Sequence, residues 1–100
     1  MFSQEPDILR KLRLIEGLKA DLLINVGEVY RAMAQNRPQE TVAGALAEVI
    51  ITAYVLGRRL GLDYAEMDDI VVARLGQDIK KEPEIERWFG DLSEYRRHLR

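Results

Sequence analysis

The sequence contains no cysteine. That excludes a disulfide framework, zinc-finger ligand spacing and a thiol nucleophile. There is one histidine, His98, so a Ser-His-Asp triad would have to be assembled on the extreme C-terminal residues. Positive charge is not in excess: 15 Lys and Arg stand against 17 Asp and Glu, for a net charge of -2. Such a balance argues against a protein that grips nucleic acid through its phosphates. The longest strongly apolar run, Ala45–Leu56, contains Glu48 and is short for a bilayer span. The opening Met1-Phe2-Ser3-Gln4-Glu5-Pro6-Asp7 has neither a basic nor an apolar leader region, so no signal peptide and a cytoplasmic location are expected. Alternating strand patterns, Asn-Gly or Asp-Gly hairpin turns, Gly-rich phosphate loops and a His-Glu-x-x-His pair are all missing.

What remains is the chemistry of helices. With 47% hydrophobic and 32% charged residues over 100 positions, the chain has the balance of one soluble globular domain. From Ile8 the apolar positions run Ile8, Leu12, Ile15, Leu18, Leu22, Val26, Val29 and Met33. Steps of three and four keep these on one helical face. Pro6 suits a helix start, and Asn36-Arg37-Pro38 a stop, which predicts a first helix over about residues 7–35. A second helix carries Val42, Leu46, Val49, Ala53, Leu56 and Leu60, with Ile51, Tyr54 and Val55 on another side. Gly61 is placed to end it as a C′ glycine.

Asp63 with Glu66 forms a capping-box pattern at the start of a third helix. Its expected buried face is Met67, Ile70, Val71, Leu75 and Ile79, and Lys80 and Lys81 complement its last turn. Pro83 opens a fourth element, Gly90 breaks it, and Asp91 with Glu94 reads as a second capping box. Trp88, Phe89 and Leu92 are expected to be buried anchors of this tail. The domain reading is a single unit over 1–100, with a core at about 7–81 and a helical tail at about 83–100.

A first helix of roughly 29 residues is roughly 43 Å long, against a radius of gyration of roughly 13 Å for a compact domain of this length. Its far end and the second apolar set of helix two therefore call for a partner, and a homo-oligomer is expected, with Ile51, Tyr54 and Val55 in or near the contact.

Two carboxylates have strongly apolar neighbours. Glu28 sits in Leu22-Leu23-Ile24-Asn25-Val26-Gly27-Glu28-Val29-Tyr30, and Glu48 in Ala45-Leu46-Ala47-Glu48-Val49-Ile50-Ile51. An ionised carboxylate among apolar residues needs solvent, a cation or hydrogen bonds. On a helical wheel Glu28 shares a stripe with Asp21 and Asn25, and Glu48 with Ala45, Thr52 and Arg59. Each acid reaches solvent, pairs with an arginine or helps to hold a metal or phosphate; the residues alone leave these open. Arg58-Arg59, Arg96-Arg97 and His98 read as ordinary surface charge.

The layout resembles the MazG-like group of the all-α nucleoside triphosphate pyrophosphohydrolases. The resemblance is carried by Val26-Gly27-Glu28-Val29 late in a long helix, by Ala45-Leu46-Ala47-Glu48-Val49 early in an apolar second helix, and by Leu60-Gly61-Leu62-Asp63 before a third. It covers roughly residues 8–81. The segment Glu84–Leu92 looks like the tail of short MazG-like proteins of spore-forming and related bacteria.

The resemblance implies an all-α antiparallel helical bundle with a long first helix, completed by dimerisation. In active members, a Glu-Glu-x-x-Glu motif on the first helix faces a Glu-x-x-Asp motif on the second, and the acids hold magnesium against nucleotide phosphates. Here the first motif reads Ile24-Asn25-Val26-Gly27-Glu28 and the second Ala45-Leu46-Ala47-Glu48. Glu28 and Glu48 are the metal ligands that survive, with Asn25 and Asp21 as neighbouring oxygen donors.

The implied function is a non-catalytic or weakly active oligomeric module for interaction or nucleotide binding. The alternative is a magnesium-dependent pyrophosphohydrolase converting a nucleoside triphosphate to the monophosphate and pyrophosphate, with Lys80 and Lys81 as phosphate contacts. Neither a membrane nor a nucleic acid partner is expected.

Overall fold

The computed structural model describes residues 6–99. The reading of Met1–Glu5 as free of a leader lies outside the described residues. Five helices follow in order: α1 Asp7–Ala34, α2 Gln39–Arg59, α3 Tyr64–Lys80, α4 Glu84–Phe89 and α5 Asp91–His98. No strand occurs among the described residues, and the fold is all-α as the sequence predicts. The chain divides into two compact units, 1–62 and 63–100. The sequence reading draws its internal line elsewhere, at 81–83 within one domain.

The first unit is a hairpin of α1 against α2. Pro6 and Pro38 stand at the two N-caps with φ of -56°, where a missing N–H costs nothing because no helical partner exists for it. Between the helices the chain reverses through Asn36 at φ 53°. The Arg37 N–H donates to the Ala32 carbonyl at 2.9 Å and the Asn36 N–H to the Met33 carbonyl at 3.1 Å. This is a Schellman motif with asparagine in the left-handed position, the non-glycine residue best suited to it. The same device ends α2. The Leu62 N–H donates to the Gly57 carbonyl at 3.0 Å and the Gly61 N–H to the Arg58 carbonyl at 3.2 Å, with Gly61 at φ 105°.

The two helices meet along a narrow seam. The least exposed residues of α1 are Ile15, Leu18, Leu22, Asn25, Val29 and Ala32; those of α2 include Val42, Ala45, Val49, Thr52 and Leu56. Both sets alternate steps of three and four, the repeat by which helices pack nearly antiparallel. The seam is therefore not quite the stripe expected from hydrophobicity. Asn25 and Ala32 lie in it, while Val26 and Met33 are exposed, Met33 at 61%. Small Ala32 lets the backbones approach, and Asn25 has a partner across the seam, so larger apolar neighbours stand outside it.

In the second unit α5 packs against both α3 and α4. Asp63 caps α3 as predicted: its carboxylate accepts the Glu66 N–H at 2.8 Å, and the Glu66 carboxylate accepts the Asp63 N–H at 3.1 Å. Leu75 is buried, and Val72 and Gly76 are half-buried where Ile70, 45% exposed, was expected.

The expected second capping box at Asp91 is absent. Gly90, at φ 67°, is itself the N-cap residue of α5. The cap is supplied by Glu86 from the preceding helix: its carboxylate accepts the Leu92 N–H at 2.9 Å, the Ser93 N–H at 3.1 Å and the Ser93 hydroxyl. The Ser93 hydroxyl hydrogen bond leads the causes that lower the Glu86 carboxyl below its ordinary range, with the two N–H groups and Arg96 adding to it against a partial desolvation. The tail also departs from expectation in burial. Trp88 and Phe89 are 71% and 69% exposed and touch each other edge-on, with ring centroids 6.5 Å apart. Ile85, Trp88 and Phe89 share one face of α4 at i, i+3 and i+4, and that face, with Ile85 at 46%, stays uncovered.

Candidate functional site

Asn25 and Thr52 fix the register of the hairpin. The Asn25 Nδ2 donates to Thr52 Oγ1 at 2.8 Å, and Thr52 Oγ1 donates to the Glu48 carbonyl at 2.7 Å. A hydroxyl has one hydrogen. Because it is committed to Glu48, Thr52 must accept from Asn25, and this orients the amide. Thr52 is 7% exposed, so the pair replaces water contacts that neither group retains in full.

This register sets the heights of the two acids. In an antiparallel pair with Asn25 opposite Thr52, residue 28 stands opposite residue 49. Glu28 and Glu48 thus lie within about one residue rise of 1.5 Å of the same level. Helical phase places both on the same flank of the seam, roughly a quarter-turn from it, together with Asp21 and Thr41. The opposite flank carries Leu23, Val26, Tyr30, Met33, Leu46 and Ile50, all exposed to an appreciable degree. The hairpin therefore has one polar and one apolar side.

Glu28 already has a cation. Arg31, one turn on, brings Nη1 to 3.6 Å from Glu28 Oε1. Both side chains are more than half exposed, so the pair contributes little to stability, but it sets the charge of the site. Glu28 and Arg31 line a cavity of about 240 Å³ with Ala32, Gln35, Arg37 and Thr41. Two guanidinium groups against one carboxylate leave this cavity net positive. Arg31, Arg37 and Thr41 were not singled out from the sequence. The signal was present in the i,i+3 spacing of Glu28 and Arg31 and in an arginine held at the turn by Pro38.

The donor set does not fit a magnesium ion. Ile24 and Ala45 offer no oxygen, Glu28 faces the Arg31 guanidinium, and Asn25, whose amide nitrogen goes to Thr52, keeps one neutral oxygen. Mg²⁺ requires near-octahedral oxygen coordination. Among the described residues no group of three or more His, Cys, Asp or Glu is placed to hold a metal. Lys80 and Lys81 belong to the second unit, where Lys81 Nζ lies 4.0 Å from Asp78 Oδ1.

A model of the MazG-like family matches residues 8–92. The chain belongs to the MazG-like family. The match runs through α4 to the start of α5, and takes in the segment Glu84–Leu92 that the sequence likens to the tail of short MazG-like proteins. No curated protein and no solved structure matches this MazG-like chain.

Proposed function

We propose that this MazG-like protein is a non-catalytic, oligomeric helical module that holds a phosphate-bearing ligand such as a nucleotide without hydrolysing it. The observation that carries the reading is the reassignment of two positions of the metal motif. Asn25 makes a hydrogen bond inside the seam, and Glu28 is met by Arg31. A guanidinium beside the remaining carboxylate supplies fixed positive charge of the kind magnesium supplies elsewhere, and it binds phosphate oxygens well. It offers no Lewis acid and activates no water.

The second reading is a pyrophosphohydrolase of reduced activity. It is favoured by the common height and flank of Glu28 and Glu48, two candidate metal ligands. The test is release of pyrophosphate from a panel of nucleoside triphosphates with magnesium or manganese, with Glu48→Gln as control. The proposal expects no release above background from either protein. Turnover that Glu48→Gln abolishes would replace it with the second reading.

Assembly belongs to the same proposal. The contact expected at Ile51, Tyr54 and Val55 is moved to another face, because Tyr54 and Val55 are already half-buried: a second copy laid over the more exposed Leu23, Tyr30, Leu46 and Ile50 removes apolar surface from water at about 25 cal/mol per Å². It completes a four-helix arrangement. α2 is long and apolar enough to cross a membrane, with mean hydropathy 1.4 over its most apolar stretch. Glu48 stands at its middle, where an acid costs about 2.5–3.5 kcal/mol in a bilayer, and lateral packing in a cytoplasmic assembly suits the helix better.

A further inference from the structure

We infer that the hairpin carries a second anion site, at the end remote from Glu28, that takes a linear polyphosphate. Lys11 from α1 and Arg58 and Arg59 from the last turn of α2 converge with Gly61 on a cavity of about 230 Å³. No carboxylate lines it, and none of the three cations has a carboxylate partner among the described residues. Lys11 is 17 residues from Glu28, about 25 Å along α1. The site is separate from the cavity beside Glu28 and does not rest on the function proposed for it.

Arginines in the last turn of a helix are ordinarily explained by its dipole. That explanation covers Arg58 and Arg59 singly; it does not call for a lysine brought from the other helix. Three like charges around one cavity repel one another, and a polyanion is the ligand that reverses the sign of that interaction. The Schellman turn fixes the floor: Gly61 is held by its bond to the Arg58 carbonyl, and no atom stands within 4 Å of where its Cβ would be. The cavity is smaller than the roughly 300–1,000 Å³ of sites that enclose a drug-sized ligand. It fits a phosphate chain, free or as the tail of a nucleotide whose base stays outside. Two guanidinium groups give planar donors for adjacent phosphates, and the lysine a point charge.

The test is calorimetric titration of the full chain with inorganic tripolyphosphate at fixed ionic strength, repeated with a nucleoside triphosphate. Wild type should bind tripolyphosphate. Lys11→Gln and Arg59→Gln should each weaken binding by roughly tenfold, with unchanged circular dichroism. The double variant Arg31→Gln/Arg37→Gln removes any phosphate binding at the other cavity, and the binding component lost in Lys11→Gln should remain in it. A nucleoside triphosphate that binds no tighter than tripolyphosphate assigns the site to the phosphate chain alone; tighter binding, still lost in Lys11→Gln, adds a contact to the nucleoside. Absence of binding by wild type, equal binding by Lys11→Gln, or loss only in the Arg31/Arg37 variant would overturn the inference.

Discussion

The two units of this chain are held by different means. In residues 1–62 two long helices share a seam whose buried residues are few and mostly small, and a hydrogen bond across it joins Asn25 to Thr52. In residues 63–100 the helices are shorter, and their ends are secured by side chains: Asp63 with Glu66 at α3, and Glu86 at α5. Packing dominates the first, and satisfaction of terminal N–H groups is conspicuous in the second. The first unit also leaves more large apolar side chains exposed.

The contrast can be broken at its strongest contact. Leu75 is 7% exposed and Trp88 71%. Leu75→Ala should cost about 2–5 kcal/mol, as truncations of buried leucines do, whereas Trp88→Ala should stay within about 0.5 kcal/mol in a monomer. Thermal melts of both variants at several protein concentrations check this. A large loss in Trp88→Ala that grows with concentration would place Trp88 in an assembly contact.

Next in size is the polar pair of the first unit. Thr52→Val removes the acceptor and strands a half-buried amide, at a cost of about 1–3 kcal/mol. Adding Asn25→Leu should restore most of that loss, because two apolar groups no longer need a partner. Chemical denaturation of the two singles and the double gives the coupling. Additive losses would show that the hydrogen bond does not set the register.

Caps come after packing. Asp63→Ala should cost about 1 kcal/mol, read from the denaturation midpoint, with the loss confined to α3 by hydrogen exchange. The Glu86 cap is sensitive to pH, and its sign follows from the lowered carboxyl. A carboxylate stabilised in the folded state contributes fully above the ordinary glutamate value of about 4.3, and the contribution is lost as pH falls through the lower folded value. Wild type should therefore melt above Glu86→Gln at neutral pH, and the difference should close in acid. A difference that persists in acid would mean that the carboxylate charge is not what caps α5.

Helix ends were the most legible feature of the sequence because their signals are local. Asn36 before Pro38, Gly61, Asp63 with Glu66, and Gly90 all mark boundaries through their own backbone preferences. The phase of the seam was less legible. Hydrophobicity favours Val26 and Met33, whereas packing selects Asn25 and Ala32, a choice that depends on Thr52 27 residues away. The Glu86 cap escaped for a related reason: an acid in the first turn of α4 reads as a dipole complement, and only the left-handed turn at Gly90 folds the next helix back onto it. At the site, Glu28 and Glu48 were visible by their apolar surroundings, but the Arg31 partner and the cavity with Arg37 and Thr41 needed coordinates.

On the proposed reading, the positions that resemble a metal motif hold a hydrogen bond at Asn25 and an ion pair at Glu28 in place of a cation. Isothermal titration of the wild-type protein with magnesium and then manganese tests it most directly. The account predicts affinity no better than about millimolar for either ion, since one or two carboxylates leave Mg²⁺ dependent on water and substrate phosphates. Micromolar binding that Glu48→Gln abolishes would contradict it.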